Sequence, residues 1–176
     1  AGIPASKIVF SGVGKSAEEI KAALEAGIYQ FNVESVPELY RLSEIAASMD
    51  TKAPLALRVN PHVSAGGHAH ISTGAAEHKF GIAWHEAKSI YELAMSLPGI
   101  EVKGVDVHIG SQITDLTPMR AAFEKVVSLV RELRSMNVPI TRIDLGGGLG
   151  IPYREGETPA SPAQYAEMIR DVLGDL

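Results

Sequence analysis

A chain of 176 residues with a net charge of −5 and no Lys/Arg block lacks the basic surface that nucleic acid demands, and it is long enough for one ordinary domain. At 45% hydrophobic and 21% charged it can bury a core, while the absence of cysteine excludes disulfides, thiolate metal ligands, iron–sulfur clusters and a thiol nucleophile within these residues. No apolar run approaches the roughly 20 residues of a membrane span.

The chain opens at Ala1-Gly2-Ile3-Pro4, which reads as the end of a helix and its turn, so it is expected to begin within something larger. No signal peptide is visible. Ile8-Val9-Phe10 is a short strand. Ser11-Gly12-Val13-Gly14-Lys15-Ser16 has the look of a nucleotide-binding loop, but that pattern needs a glycine where Val9 stands. Ser16 and Glu19 read instead as a capping box opening a helix over Ala17–Ala26, stopped by Gly27. Tyr29–Val33 is the second strand, and Ser35 with Glu38 predicts a second capping box before a helix carrying Leu39, Leu42, Ile45, Ala46 and Met49.

Leu55–Val59 is the third strand. Arg58 is the one charge in it, and a buried arginine is costly without a partner. It either lies at the exposed strand end or is aimed at an anion. The stretch from Val63 to Gly81 is polar, Gly-rich and aperiodic, as lids and interface loops often are. Histidines crowd from His62 to His85, including His68 and His70. No carboxylate stands at ligand spacing beside them, so a solvated loop is the reading preferred to zinc, and no metal ligand is assigned. A helix over Glu86–Leu97 follows, packing Ile90, Leu93, Ala94 and Leu97.

Val102–Val107 is the fourth strand and runs into His108-Ile109-Gly110-Ser111-Gln112. A helix from about Pro118 to Met136 buries Met119, Phe123, Val126, Val130 and Leu133. Arg142–Leu145 is the fifth strand, and it stops at Gly146-Gly147-Gly148. Three glycines there imply that the backbone comes very close to something. One reading is an anion nest whose bare N–H groups meet a phosphate; the other is an ordinary Gly-rich turn. The loop fails as a dinucleotide fingerprint, because the third required glycine falls on Ile151. Ser161 and Gln164 cap a last helix with Tyr165, Met168, Ile169 and Val172 inward.

Five strand–helix units of about 35 residues each, with strands read as apolar throughout, predict an α/β fold with a parallel sheet buried on both faces. A doubly wound open sheet and part of a (β/α)8 barrel both fit. Arg58, His108, Ser111 and the glycine run all lie at C-terminal strand ends, where both architectures place sites. A lone histidine at a strand end is more often structural. Here the adjoining Gly110-Ser111 and the later glycines turn the reading toward function.

Six stretches occur in one order: Phe31-Asn32-Val33-Glu34-Ser35, Leu57-Arg58-Val59-Asn60-Pro61, Ile71-Ser72-Thr73-Gly74, Lys79-Phe80-Gly81, His108-Ile109-Gly110-Ser111-Gln112 and Asp144-Leu145-Gly146-Gly147-Gly148-Leu149. Together they resemble the diaminopimelate decarboxylases, within the alanine-racemase-fold family of pyridoxal-phosphate enzymes. The resemblance covers essentially the whole chain. It implies an eight-stranded TIM-type barrel followed by a β-domain, of which residues 1–176 are the central part of the barrel, about strands three to seven. It implies a cytoplasmic homodimer that converts meso-diaminopimelate to L-lysine and CO2 with pyridoxal 5'-phosphate. His108 would stack on the cofactor ring. Ser111, Gly146, Gly147 and Gly148 would hold its phosphate, Gly147 and Gly148 foremost, and Arg58 would lie near the ring's phenolic oxygen.

The departures are as informative. The family's cofactor-anchoring lysine, in a Tyr-x-x-Lys-Ala motif, is absent from these residues, as are its Glu-Pro-Gly-Arg motif and the cysteine and tyrosine of its C-terminal domain. No catalytic residue is therefore assigned here, and residues 1–176 alone are expected to be inactive. Alternatives are a related decarboxylase for ornithine, arginine or carboxynorspermidine, a non-catalytic pyridoxal-phosphate barrel, and a structural fragment that pairs its strand edges with another copy.

Overall fold

The computed structural model describes residues 2–63, 80–174 and 176. Strand β1 (Val9–Phe10), helix α1 (Ala17–Ala26), strand β2 (Gln30–Val33), helix α2 (Val36–Ser48) and strand β3 (Ala53–Asn60) come first. Strand β4 (Ile82–Ala83), helix α3 (Ala87–Ser96), strand β5 (Ile100–Asp106), helix α4 (Thr117–Ser135), strand β6 (Arg142–Asp144) and helix α5 (Pro162–Leu173) follow.

Local chemistry sets most of the helix ends. The Ser16 hydroxyl accepts the Glu19 N–H at 3.2 Å while the Glu19 carboxylate accepts the Ser16 N–H at 2.8 Å. Ser161 and Gln164 close the same reciprocal box before α5. Gly27 ends α1 in the left-handed region at φ 66°. The capping box expected at Ser35 stays open. Ser35 accepts the Glu38 N–H at 3.3 Å, but the Glu38 carboxylate turns to the Glu34 N–H at 3.0 Å and the Lys15 ammonium at 2.6 Å. A buried cation draws a carboxylate more strongly than a neutral N–H does.

All strand pairs are parallel, in the order β1-β2-β3-β5-β6, with β4 beside β3. A doubly wound sheet reverses its strand order at a switch point, and none occurs among the described residues. The sheet also curls. Asn32 Nδ2 on β2 donates to Asp144 Oδ2 on β6 at 2.8 Å, although β3 and β5 lie between those strands. The architecture is an arc of a (β/α) barrel, the second of the two predicted possibilities.

Strand β4 is a sixth strand that sequence reading did not separate. Its register, Val59 to Ile82 and Asn60 to Ala83, depends on Gly81 at φ 98°, where a Cβ would stand 2.9 Å from the Arg58 carbonyl oxygen. The outer face of the sheet carries the core: Phe31, Val33, Leu55, Leu57, Val59, Val105 and Val107 pack under the helices. The five residues expected to line α4 are all buried. On α3, Tyr91 is fully buried as well, because its hydroxyl reaches the Gly104 carbonyl at 2.8 Å.

The inner face differs from expectation. The strands are not apolar throughout: Gln30, Asn32, Glu34 and Asp106 are buried polar groups, and Arg58 and Asp144 join them. They alternate with the core residues at a period of two. A barrel of few strands fills its interior with side chains, and here that filling is a polar network. Gly104 makes room for it, since a Cβ there would lie 3.2 Å from Gln30 Oε1. No helix among the described residues is long and apolar enough to cross a membrane.

Candidate functional site

The chain leaves β5 and β6 side by side. The Val107 N–H donates to the Asp144 carbonyl at 3.0 Å, the Ile113 N–H to the Gly148 carbonyl at 2.8 Å, and the Gly150 N–H to the Ile113 carbonyl at 2.8 Å. The Gln112 side chain clasps Ile151, accepting its N–H at 3.2 Å and donating to its carbonyl. These contacts lock the His108–Gln112 segment against the glycine loop at the C-terminal mouth of the arc.

The glycines have separate reasons. Gly146 sits at φ 67°, and a Cβ there would overlap the Val107 carbonyl oxygen and reach His108 Nδ1 at 3.0 Å. Gly148 sits at φ 97°, and a Cβ would overlap the Gly110 carbonyl oxygen. The close approach that the sequence demands is thus to the neighbouring segment at these two positions. Around Gly147 a Cβ would meet nothing within 4 Å, and its N–H points at His108 Nδ1 over a long 3.4 Å. Gly147 and Ser111 are exposed at the mouth.

His108 is half-buried, and its imidazole is held below the ordinary histidine range. Burial is the main cause and the Arg58 cation the next, while Glu34 and Asp144 pull the other way. The ring is therefore neutral at physiological pH, with Nδ1 facing the Gly147 N–H as acceptor.

Arg58 does not lie at an exposed strand end. It points into the mouth and pairs with Glu34 at 2.7 Å, with side chains 16% and 2% exposed. The anion it is aimed at is one of the protein's own. Glu34 is held in turn by the Gly12 N–H at 3.0 Å, and Arg58 Nε keeps no acceptor among the described residues. Lys15, the lysine of the rejected nucleotide loop, is buried. Its ammonium donates to the Gly12 carbonyl at 2.6 Å, the Asn32 carbonyl at 2.8 Å and Glu38, which leaves it fully engaged.

Below the mouth lies a layer that sequence reading missed. Asp106 is in register with Arg58 on one side and Asp144 on the other, and it is 4% exposed. Its carboxyl is pushed up to about 7, by burial first and then by Asp144, with Glu34 adding and Arg58 opposing. The available signal was the run of polar residues two apart: Gln30, Asn32 and Glu34, then Asp106 and His108, then Arg142 and Asp144. Most of the histidine-rich stretch lies outside the described residues, and among those described no three ligand side chains gather for a metal.

The mouth thus offers an exposed hydroxyl, a backbone N–H held only by a long bond to His108, and a neutral imidazole, with the Arg58–Glu34 pair beside them. A family model described as "Pyridoxal-dependent decarboxylase, pyridoxal binding domain" matches residues 1–176. Diaminopimelate decarboxylase of Zymomonas mobilis is 50% identical over 173 residues, covering 98% of this chain and 41% of that protein. The crystal structure of the Helicobacter pylori diaminopimelate decarboxylase complexed with L-lysine superposes with a TM-score of 0.91 at 40% identity, over 99% of this chain and 44% of that one. The diaminopimelate decarboxylase of M. jannaschii, in co-complex with L-lysine, gives 0.88 at 38% identity, over 97% and 40%. The chain spans about two fifths of the length of the curated relatives it matches. It belongs to the pyridoxal-dependent decarboxylase family, as a match to that family's pyridoxal-binding domain.

Proposed function

We propose that these residues form the central part of the barrel of a pyridoxal-phosphate-dependent decarboxylase that converts meso-diaminopimelate to L-lysine and CO2. The observation that carries the reading is the convergence of His108, Ser111 and Gly147 on one mouth, in a chain about half identical to enzymes of that name. The donor set fits the cofactor. A phosphate takes a hydroxyl and a weakly held N–H: Ser111 supplies the first, and Gly147, whose N–H is held only by a long 3.4 Å bond to His108 Nδ1, supplies the second beside a space that a Cβ would not fill. Gly146 and Gly148 serve it indirectly, by letting the loop lie flat against residues 107–111. A neutral imidazole stacks on an aromatic ring without adding a positive charge that would have to be solvated, which suits His108. Arg58, held in place by the Glu34 pair, would lie near the ring's phenolic oxygen.

When bound, pyridoxal phosphate supplies an aromatic ring that draws electrons from the carbon losing CO2. The residues described here bind and orient that ring; the lysine motif that anchors it in the family is not among them. The same resemblance carries the proposal that the full-length protein is a cytoplasmic homodimer.

His108→Ala in the full-length protein is expected to weaken pyridoxal-phosphate binding and slow lysine formation, each by about tenfold or more for a lost stacking face. Titration of the apoprotein followed by visible absorbance, with an assay of lysine release, tests this. Unchanged affinity and rate would remove His108 from the site.

A further inference from the structure

Asp144 has an unusual place: it is the last residue of β6, separated from the glycine run only by Leu145, and both its carboxylate oxygens are engaged. Oδ1 accepts the Gly146 N–H at 2.9 Å. Oδ2 accepts Asn32 Nδ2 at 2.8 Å from across the barrel interior. Asn32 is fully buried and doubly anchored besides, donating to the Ser11 hydroxyl at 2.8 Å and accepting from Gln30 Nε2 at 2.8 Å. A rigid strand pair on the far side of the arc is thereby tied to the first N–H of the loop. The next N–H along, that of Gly147, is held only by a long 3.4 Å bond to His108 Nδ1, and the space where a Gly147 Cβ would stand is open.

We propose that Asp144 is a positioning residue for phosphate binding: by bridging Asn32 to the Gly146 N–H it fixes the glycine loop so that the Gly147 N–H can exchange its long bond to His108 Nδ1 for a phosphate oxygen. The inference rests on the reading of the mouth as a pyridoxal-phosphate site. Asp144 itself does not touch the phosphate. A carboxylate that did would repel it, and here both oxygens are occupied by donors of the protein. Charge-assisted bonds of this kind are the stronger sort, so their loss should be felt at the loop rather than absorbed.

The test compares pyridoxal phosphate with pyridoxal, which lacks the phosphate, on the full-length apoprotein. Asp144→Ala is expected to weaken pyridoxal phosphate by about tenfold or more while leaving pyridoxal unchanged. Asp144→Asn keeps an oxygen for the Gly146 N–H but sets its amide donor against the Asn32 Nδ2 donor, so the bridge stays cut and the selective loss is expected to persist. If Asp144→Ala does not fold, Asn32→Ala cuts the same bridge at its other end and should show the same selective loss. Equal weakening of both ligands would mark the role as merely structural and overturn the proposal. Wild-type protein binding pyridoxal as tightly as pyridoxal phosphate would instead overturn the phosphate site on which the proposal stands, and the two failures are distinguishable.

Discussion

Asp106 shows how far a single buried carboxyl can couple the site to pH. It lies between Arg58 and Asp144, and burial together with the Asp144 charge lifts it from 3.8 to about 7. In the unfolded chain it titrates at the ordinary value. Between about pH 4 and 7 the folded protein therefore binds more protons than the unfolded one, so stability falls as pH rises through that window and levels off above it. Asp106→Asn removes the group that must ionise. Its unfolding free energy relative to wild type should be constant near pH 4 and rise increasingly up to pH 7, by roughly 1.4 kcal/mol per pH unit at most. A constant difference across that range would show that Asp106 titrates normally. At this scale the sequence announced Arg58 and His108, because each is an odd residue at a strand end. Asp106 and Asn32 escaped, because their meaning lies in which face of the strand they occupy and in what faces them from β6 and β3.

At the scale of elements, the legible features are those whose cause is local. The capping boxes at Ser16 and Ser161 need only neighbours three residues apart, and α1 runs over the predicted span. The box at Ser35 failed for a non-local reason, the Lys15 ammonium arriving from the β1 turn. The two residues of β4 carry no pattern of their own, and only their pairing with Val59 and Asn60 makes them a strand. The glycine loop makes an element-level prediction. Gly146→Ala and Gly148→Ala combine a positive φ with overlap against the 107–110 backbone, so each should cost at least about 1–3 kcal/mol in urea unfolding. Gly147→Ala should leave the unfolding midpoint near wild type and weaken pyridoxal-phosphate binding. Three equal destabilisations would mean that the loop is a packing feature throughout.

Over the whole molecule, residue patterns left an open sheet and a barrel equally available, since both bury parallel strands and both put sites at strand ends. Strand order and the Asn32–Asp144 bond decide between them. The arc has an exposed inner side near β1, where Val9 is 39% exposed, and β6 is only half-buried. In the resemblance, further barrel strands and a β-domain complete the site and bring the anchoring lysine. That reading makes residues 1–176 insufficient for turnover. It assigns them cofactor orientation, a role that the polar interior and the mouth at β5 and β6 can fill.

The most direct test is CO2 release by the full-length protein with pyridoxal phosphate, on meso-diaminopimelate, ornithine, arginine and lysine in parallel, with residues 1–176 alone as a control. The account predicts release from meso-diaminopimelate only, with L-lysine formed in equal amount, and none from the isolated residues. Release from ornithine or arginine instead, or silence on every substrate while pyridoxal phosphate stays bound, would contradict it.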